Sequence, residues 1–171
     1  MPMSVNQETT FKQWLGEHQG LLYRVVRAYG NTSADQDDLF QEICLQLWLS
    51  IPRFEGKAKV STWIYRVALN TAIVWNRGEK NRRKHRDRLI TFTPQQQTGD
   101  SQPSQEIIER LYEAIRKLSK VDTSIVLMHL DGLGYDEMAE IIGISESNVG
   151  VKLNRAKKQL ALLLGGLVDD F

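Results

Sequence analysis

Apolar residues recur every three or four positions along most of this chain, and stretches that alternate apolar with polar residues are hard to find. A period near 3.6 gathers apolar side chains on one side of an α-helix, whereas a β-strand needs a period of two. Residues 8–29 predict a helical stripe, with Gly20 as a candidate interruption. A second helix is predicted to begin at its N-cap Ser33 and to end at Pro52, and a third to begin at Ser61 or Thr62. The sequence therefore predicts an all-α fold.

One segment lacks this helical period. Residues 91–105 read TFTPQQQTGDSQPSQ, which includes two prolines and almost no apolar side chains. This composition predicts a flexible linker rather than a core element, and the helical period returns at Ile107. We therefore predict two small helical domains, over 1–89 and 105–171, joined by a linker over 90–104.

The overall composition argues against several classes of protein. The chain is 42% hydrophobic and 25% charged, which is typical of a globular protein. No apolar run approaches the roughly 20 residues that span a bilayer. The N-terminus also lacks the basic and apolar regions of a secretory signal. We expect a cytoplasmic protein without membrane insertion.

Residues that could support catalysis are not arranged as a catalytic site. The single cysteine, Cys44, excludes an intramolecular disulfide and a cysteine-based zinc site. The three histidines lie far apart in sequence without metal-ligand spacing, and no Gly-rich phosphate loop or nucleophile elbow is present. We therefore expect no metal, no cofactor and no enzymatic activity.

Charge is balanced overall but segregated along the chain. The net charge of +1 says nothing about a nucleic-acid partner. Residues 77–88, however, carry seven Lys or Arg against two acids, whereas Asp35, Asp37, Asp38 and Glu42 crowd one short segment. This segregation predicts separate basic and acidic surfaces.

The stretch YDEMAEIIGISESNVGVKLNRAKKQL, residues 135–160, has the features of a helix-turn-helix. Ala139 takes the position where two helices cross, and Gly143 takes the turn, where glycine accepts a positive φ. Ser145 is the predicted N-cap of the second helix. The predicted packing residues are Met138, Ile142, Ile144, Val149 and Leu153. An ordinary helical hairpin with a solvated basic end is the alternative.

A recognition helix reads base edges with its N-terminal half, and cations along it hold backbone phosphates. The predicted DNA-contacting residues of this motif are Ser145, Glu146, Ser147, Asn148, Gly150, Val151, Lys152, Asn154, Arg155 and Lys158.

Two stretches before the linker extend the argument: DQDDLFQEICLQLWLSIPRFEG and STWIYRVALNTAIVWNR. Together with LSKVDTSIVLMHLDGLGYDEMAEIIGISESNVGVKLNRAKKQL, they resemble a bacterial RNA polymerase sigma factor of the extracytoplasmic-function (ECF) group. The resemblance implies a transcription initiation factor. Such a factor has a region 2-like helical bundle followed by a region 4-like helix-turn-helix, and it binds core RNA polymerase and opens a promoter.

The resemblance also implies partners and the residues that meet them. Asp38, Gln41 and Glu42 match the DLxQE helix that docks on the clamp helices of the polymerase β′ subunit. The implied partners are core RNA polymerase (β′ clamp helices and β flap), promoter DNA and an anti-sigma factor. Acids near a helix N-terminus can instead simply complement the helix dipole, which accounts well for Asp35 and Asp37.

The loop RFEGKAKVSTW aligns with the segment that captures a flipped base of the −10 element. Capture of single-stranded bases needs an aromatic platform, polar groups and backbone cations. The implied −10 contacts are Phe54, Lys57, Lys59, Thr62, Trp63, Arg66, Asn70, Arg77, Lys80, Arg82 and Arg83. Core packing is the alternative for Trp63.

Two positions of the recognition helix depart from the family pattern. Family members often carry a basic or polar residue where Gly150 stands and a small polar residue where Val151 stands. A glycine inside a helix costs about 1 kcal/mol relative to alanine. Valine offers only an apolar contact, such as one to a thymine methyl group. We therefore expect Asn148, Asn154 and Arg155 to carry more of the −35 specificity.

Two other functions remain as alternatives. A conventional regulator would use the helix-turn-helix alone and bind duplex DNA without polymerase. The linker and the acidic DLFQE segment argue against it, since a sensor domain needs neither. A subunit of a nucleic-acid-processing enzyme is the second alternative.

Overall fold

The computed structural model describes the backbone of residues 3–86 and 103–165 and the side chains of residues 6–78 and 103–165. No strand occurs among the described residues, which form α-helices, one short 3-10 helix and their connections. The all-α fold predicted from the sequence is confirmed.

The helices form two groups in chain order. The front lobe consists of α1 (Met3–Glu17), α2 (Gln19–Tyr29), α3 (Ser33–Ser50), a 3-10 helix (Ile51–Arg53) and α4 (Val60–Arg86). The rear lobe consists of α5 (Pro103–Arg116), α6 (Lys120–Leu130), α7 (Tyr135–Ile142) and α8 (Glu146–Leu164). Because α5 begins at Pro103, it includes the last two residues of the predicted linker. Helix α4 ends at Arg86, before the predicted linker. The rest of that linker, residues 90–102, lies outside the described residues.

Helix α3 begins one residue away from its predicted cap. Thr32, not Ser33, is the N-cap, because its hydroxyl accepts the amide of Asp35 at 3.1 Å. Both residue types cap helices well, so the pattern alone does not choose between neighbours. The end of the helix is as predicted: α3 ends at Ser50, two residues before Pro52.

Helix α4 begins earlier than its predicted cap. Its first residue is Val60, so Ser61 and Thr62 lie within its first turn rather than before it. The amide of Trp63 donates to the carbonyl of Lys59 at 3.1 Å, which places the start of the helical bonding at Lys59.

Each lobe buries the apolar stripe that the period predicts. In the front lobe, Leu39, Ile43 and Leu47 of α3 are fully buried and belong to the same core as Ile64 and Ala68 of α4. The buried residues of the rear lobe include Ile115, Ile125, Leu127, Met138, Val149, Leu153 and Ala156. Burial of one side chain of this size contributes about 1.5–3 kcal/mol, so these stripes fix how each helix is rotated.

The two lobes touch along α2, which packs against α5 and α6. The Tyr29 hydroxyl donates to the Lys120 carbonyl at 2.9 Å, and Nε of Arg116 donates to the Arg27 carbonyl at 3.0 Å. Burial raises the pKa of the Tyr29 hydroxyl, which therefore keeps the proton that it donates. We call this contact the α2 seam.

Two glycines of the rear lobe should respond in opposite ways to alanine. Gly143 has φ +83°, where a Cβ is strained, so Gly143→Ala should lower the free energy of unfolding by about 1–2 kcal/mol. Gly150 lies inside α8, where a Cβ would meet Tyr135 at an ordinary 3.4 Å. Gly150→Ala should therefore raise that free energy by about 1 kcal/mol. Urea unfolding followed by circular dichroism measures both. A shift of the same sign in both variants would contradict this reading of the turn.

Candidate nucleic-acid interface

Helices α7 and α8 form the predicted helix-turn-helix. Gly143 ends α7 in the left-handed conformation, and its amide donates to the Ala139 carbonyl at 2.8 Å. Met138, Val149 and Leu153 are fully buried between the helices. The predicted turn and packing residues are thus in place, which distinguishes this pair from a hairpin of arbitrary geometry.

The amino end of α8 is capped as predicted. Ser145 lies in extended backbone, and its hydroxyl accepts the Asn148 amide at 3.1 Å. The remaining free amides of the first turn point out of the helix end, where an anion such as a phosphate is stabilised.

The outer stripe of α8 holds the residues predicted to contact DNA. The exposed members are Ser145, Glu146, Ser147, Asn148, Val151, Asn154, Arg155 and Lys158, and the half-buried ones are Gly150 and Lys152. Val151 is 65% exposed, one turn from Asn148 and one from Asn154. Tyr135 of α7 is also exposed and lies beside Gly150, within 3.4 Å of where a Cβ would stand. The stripe therefore combines two amides with an apolar centre.

Arg155 has an internal partner that the sequence does not reveal. Its Nη2 lies 3.3 Å from Oδ1 and 3.2 Å from Oδ2 of Asp122, a residue only 3% exposed on α6. The 33-residue separation follows no local pattern, and an acid in a first helical turn is usually explained by the helix dipole. Arg155 thus both ties α8 to α6 and lies on the outer stripe that is predicted to contact DNA.

A small pocket lies beside the loop between the 3-10 helix and α4. It has a volume of about 250 Å³ and is lined by Arg53, Phe54, Glu55, Lys57, Ala58, Trp63, Arg66 and Glu140. We call it the aromatic pocket. It brings together four of the residues implied in −10 recognition: Phe54, Lys57, Trp63 and Arg66.

The aromatic pocket is held by ring contacts. Phe54 packs edge-on against Trp14 with ring centroids 5.3 Å apart, and its centroid is 5.4 Å from that of Trp63. Nε1 of Trp63 donates to the Ser50 hydroxyl at 3.1 Å. Both Phe54 and Trp63 are half-buried. Each ring therefore supports the loop and also leaves part of its surface to the pocket.

Other residues implied in −10 recognition lie elsewhere. Thr62 is 6% exposed, because the first turn of α4 turns it into the core. Asn70 lines a different groove, of about 560 Å³, together with Glu42 and Gln46. Arg77 is exposed farther along α4. Lys80, Arg82 and Arg83 continue the helix, and their side chains lie outside the described residues.

The outer side of α3 presents the residues predicted to bind polymerase. Asp38 and Gln41 are exposed, and Glu42 is half-buried and accepts a hydrogen bond from Gln46 at 3.1 Å. The same stripe continues with Leu45 and Leu49, which are 50% and 51% exposed. Sequence reasoning missed these two leucines. Their exposure could have been predicted from the helical period, since both leucines fall between the positions of the buried stripe.

Helix α4 also contacts α7 of the rear lobe. Nζ of Lys59 lies 3.1 Å from Oε1 of Glu137, and Nη2 of Arg66 donates to the Glu140 carbonyl at 3.0 Å. The Gly134 amide and then Lys59 hold the pKa of the Glu137 carboxyl below its usual range. We call this second interlobe contact the α4–α7 contact. It engages two cations that were predicted to meet DNA.

Two negative findings bear on function. Among the described residues, no group of three or more His, Cys, Asp or Glu side chains is placed to hold a metal ion. None of the helices in the described part of the chain is long and apolar enough to cross a membrane.

Known proteins resemble this chain in both lobes. The family models for Sigma-70 region 2 and Sigma-70 region 4 match residues 14–82 and 108–160. RNA polymerase sigma factor YlaC of Bacillus subtilis is 30% identical over 90% of this chain and 88% of its own length. ECF RNA polymerase sigma-E factor of Haemophilus influenzae is 28% identical over 82% of this chain and 78% of its own.

A solved structure shares the fold. The sigma factor RpoE of Bartonella quintana, crystallised with the anti-sigma factor NepR, matches 94% of this chain and 99% of its own with a TM-score of 0.71 and 20% identity. The two regions matched by family models fall within the two predicted domains, in the predicted order.

Removing the Arg155 side chain should destabilise the rear lobe. Arg155→Ala leaves the buried Asp122 carboxylate without its cation, so the free energy of unfolding should fall by about 1–3 kcal/mol. Lys158→Ala, which removes an exposed cation from the same helix, is the matched control and should change it by less than about 0.5 kcal/mol. Urea unfolding distinguishes the two. Equal stability of both variants would show that the Asp122 pair contributes nothing.

Proposed function

Because this chain belongs to the extracytoplasmic-function group of RNA polymerase sigma factors, we propose that its two lobes divide the work of promoter opening. As a member of this family it is a transcription initiation factor that directs promoter recognition by RNA polymerase, and it is not an enzyme. In our proposal the front lobe docks on polymerase and holds the melted −10 strand, and the rear lobe anchors on the −35 duplex. The observation that carries the proposal is that α8 exposes the stripe predicted to contact bases and phosphates while burying the opposite side.

The front lobe docks on polymerase through the outer stripe of α3. Asp38, Gln41 and Glu42 provide acceptors and negative charge, and Leu45 and Leu49 add apolar area on the same side. Such a stripe fits a helical partner that carries both basic and apolar side chains, and the β′ clamp helices are our assignment for it. Charge complementarity sets the orientation of docking, and the leucines add the area that holds it.

The aromatic pocket holds a flipped base of the non-template strand. Stacking on an aromatic side chain contributes about 1–3 kcal/mol per base, whereas unstacking a base costs a few kcal/mol. These terms nearly cancel, so a stack on Phe54 or Trp63 alone does not melt a promoter. Cations on the strand must supply the rest, and Lys57 at the pocket and Arg77 farther along α4 are exposed for this role.

The length of α4 suits a helix that follows the duplex upstream of the melted segment. Its 27 residues span about 40 Å. We assign Lys80, Arg82 and Arg83, near its carboxyl end, to phosphates of that duplex. Asn70, in the groove beside Glu42, is better placed to serve the polymerase side of the front lobe than the base pocket.

The rear lobe reads the −35 element with the stripe of α8. Asn148 and Asn154 can each pair with an adenine edge in the major groove, and Val151 between them meets a thymine methyl group. Lys152 and Lys158 then hold phosphates, and Arg155 adds a contact to a base edge. The recognised element should accordingly be rich in A·T pairs at the positions that face this stripe.

Further partners follow from the assignment. We place the rear lobe on the β flap of the polymerase, and the protein in the cytoplasm, where transcription takes place. The match to a sigma factor solved in complex with an anti-sigma factor supports an anti-sigma factor for this chain as well. Such a protein would cover the outer stripe of α3 and so compete with polymerase.

Run-off transcription with reconstituted holoenzyme tests the proposed division of work. Glu42→Lys reverses a charge on the docking stripe and should weaken binding to core polymerase by on the order of tenfold. Phe54→Leu keeps most of the buried volume but removes the aromatic surface. It should retain core binding and lose open complexes, which permanganate footprinting of unpaired thymines measures.

Matched controls separate these effects from folding. Glu17→Lys makes the same charge change on an exposed position of α1 and should leave core binding unchanged. Unfolding by urea shows whether Phe54→Leu remains folded. Tight duplex binding by the isolated protein, with no effect of polymerase, would instead favour a conventional regulator.

Removing single methyl groups from the promoter tests the assignment of Val151. Replacing thymine by uracil removes only the 5-methyl group. At the position facing Val151, the affinity of the holoenzyme should fall about fourfold, since one buried methyl group contributes about 0.8 kcal/mol. Val151→Ala should lose this sensitivity while other positions remain unaffected. No sensitivity to uracil anywhere in the −35 element would contradict the apolar contact.

A further inference from the structure

A pocket of about 340 Å³ lies where the end of α2 meets α4 and the turn between α5 and α6. Its lining includes Tyr29 and Trp75 from the front lobe and Arg116, Lys117 and Lys120 from the rear lobe. We call it the seam pocket, because Tyr29, Arg116 and Lys120 also form the α2 seam. Small ligands occupy pockets of about 300–1,000 Å³, so this one can enclose a small organic molecule. None of its described lining residues is among those proposed to bind polymerase or DNA.

Three cations line the seam pocket, and none of the described lining residues is acidic. Lys117 is exposed, Arg116 is half-buried, and neither forms an ion pair within the described part of the chain. Arg116 donates from Nε to the Arg27 carbonyl, and Glu109 and Glu113 act on its charge without pairing with it. Burial is the main cause that lowers the pKa of the Arg116 guanidinium. An anion in the pocket would offset this cost of burying the charge.

The beginning of α6 adds to the positive potential of the seam pocket. Its N-cap Ser119 lines the pocket, and the Ser119 hydroxyl accepts the Asp122 amide at 3.2 Å. The amino end of a helix carries a partial positive charge and stabilises a nearby anion. The Asp122 carboxylate in the same turn is already paired with Arg155, at 3.2 Å. This part of the pocket therefore suits a phosphate.

Aromatic and amide side chains line the rest of the seam pocket. Trp75 is half-buried, so part of its indole surface is left to the pocket. Asn31 is exposed, and Asn76 is 8% exposed and donates from Nδ2 to the Tyr29 carbonyl at 3.0 Å. An indole ring offers a base a surface for stacking, and an amide can both donate to and accept from the polar edge of a base. An inorganic anion would use neither feature, whereas a nucleotide would use both.

We propose that the seam pocket binds a phosphorylated nucleotide, with its phosphates at Arg116, Lys117 and the beginning of α6 and its base against Trp75. The site does not depend on the proposed contacts with polymerase and promoter DNA. Because both lobes contribute to its lining, a bound nucleotide adds contacts across the α2 seam. A ligand that binds only the folded chain stabilises it in proportion to its occupancy.

Calorimetric titration of the full chain with ADP, and separately with GDP, tests the site. At least one of the two should bind saturably, with one site per chain. The matching nucleoside lacks the phosphates and pyrophosphate lacks the base, so each should bind at least about tenfold more weakly. Absence of saturable binding by either nucleotide at millimolar concentration would overturn the proposal. Pyrophosphate that bound as tightly as the nucleotide would also overturn it.

Lys117→Gln tests the cationic side of the pocket without disturbing the fold, since Lys117 is exposed and forms no ion pair with a described residue. The variant should bind the nucleotide about fivefold more weakly than wild type. Lys12→Gln makes the same charge change at an exposed position of α1 and should bind it as wild type does. Circular dichroism checks that both variants are folded. Equal affinities of Lys117→Gln and Lys12→Gln would refute the assignment.

Tryptophan emission tests the position of the base. Trp75 is one of four tryptophans in the chain, and a base stacked on its indole should quench part of the emission. Trp75→Phe keeps an aromatic ring, so it should still bind the nucleotide by calorimetry but lose the quenching. Quenching that persists in this variant would show that the base lies elsewhere.

A short single-stranded oligonucleotide distinguishes a free nucleotide from the phosphates of a nucleic-acid backbone. Lys117→Gln should bind this oligonucleotide with the affinity of wild type, and the oligonucleotide should not displace the bound nucleotide. If Lys117→Gln loses affinity for the oligonucleotide as well, the pocket is a contact for nucleic acid and the proposal of a nucleotide site is wrong.

Discussion

The division of each helix into a buried and an outer stripe is the constraint on which the rest of this structure depends. Leu39, Ile43 and Leu47 fix the rotation of α3, and Val149 and Leu153 fix that of α8. Once those residues are buried, the side chains between them have to face outward. The outer stripe of α3, proposed to dock on polymerase, and the outer stripe of α8, proposed to contact DNA, are therefore consequences of core packing. A change in the core that rotated either helix would misdirect its outer stripe.

Features determined by a few neighbouring residues were predictable from the sequence. The left-handed Gly143, the Ser145 cap and the packing of Val149 follow from local backbone preferences and helical period. The same rules placed the caps of α3 and α4 slightly wrong. Thr32 and Ser33 are adjacent residues with equivalent hydroxyl groups, so only the backbone conformation reached in the fold decides which of them caps α3.

Features that join distant parts of the chain were not predictable. Lys59 and Glu137 are 78 residues apart, and Arg155 and Asp122 are 33 apart. Lys59 and Glu137 look like any solvated surface residues, because an exposed pair contributes too little free energy to impose a pattern. Asp122 looks like an acid that complements the dipole of its own helix. The burial of Thr62 was hidden for a different reason. It depends on where α4 begins, and the predicted N-cap at Ser61 or Thr62 places that start two or three residues too late.

The sequence alone assigns several cations to DNA without showing that they already have partners inside the protein. Lys59, Arg66 and Arg155 are all assigned to DNA, and each already has an acidic or carbonyl partner inside the protein. Binding DNA with these residues exchanges one partner for another, so its free energy is a difference between two sets of contacts rather than a sum of new ones.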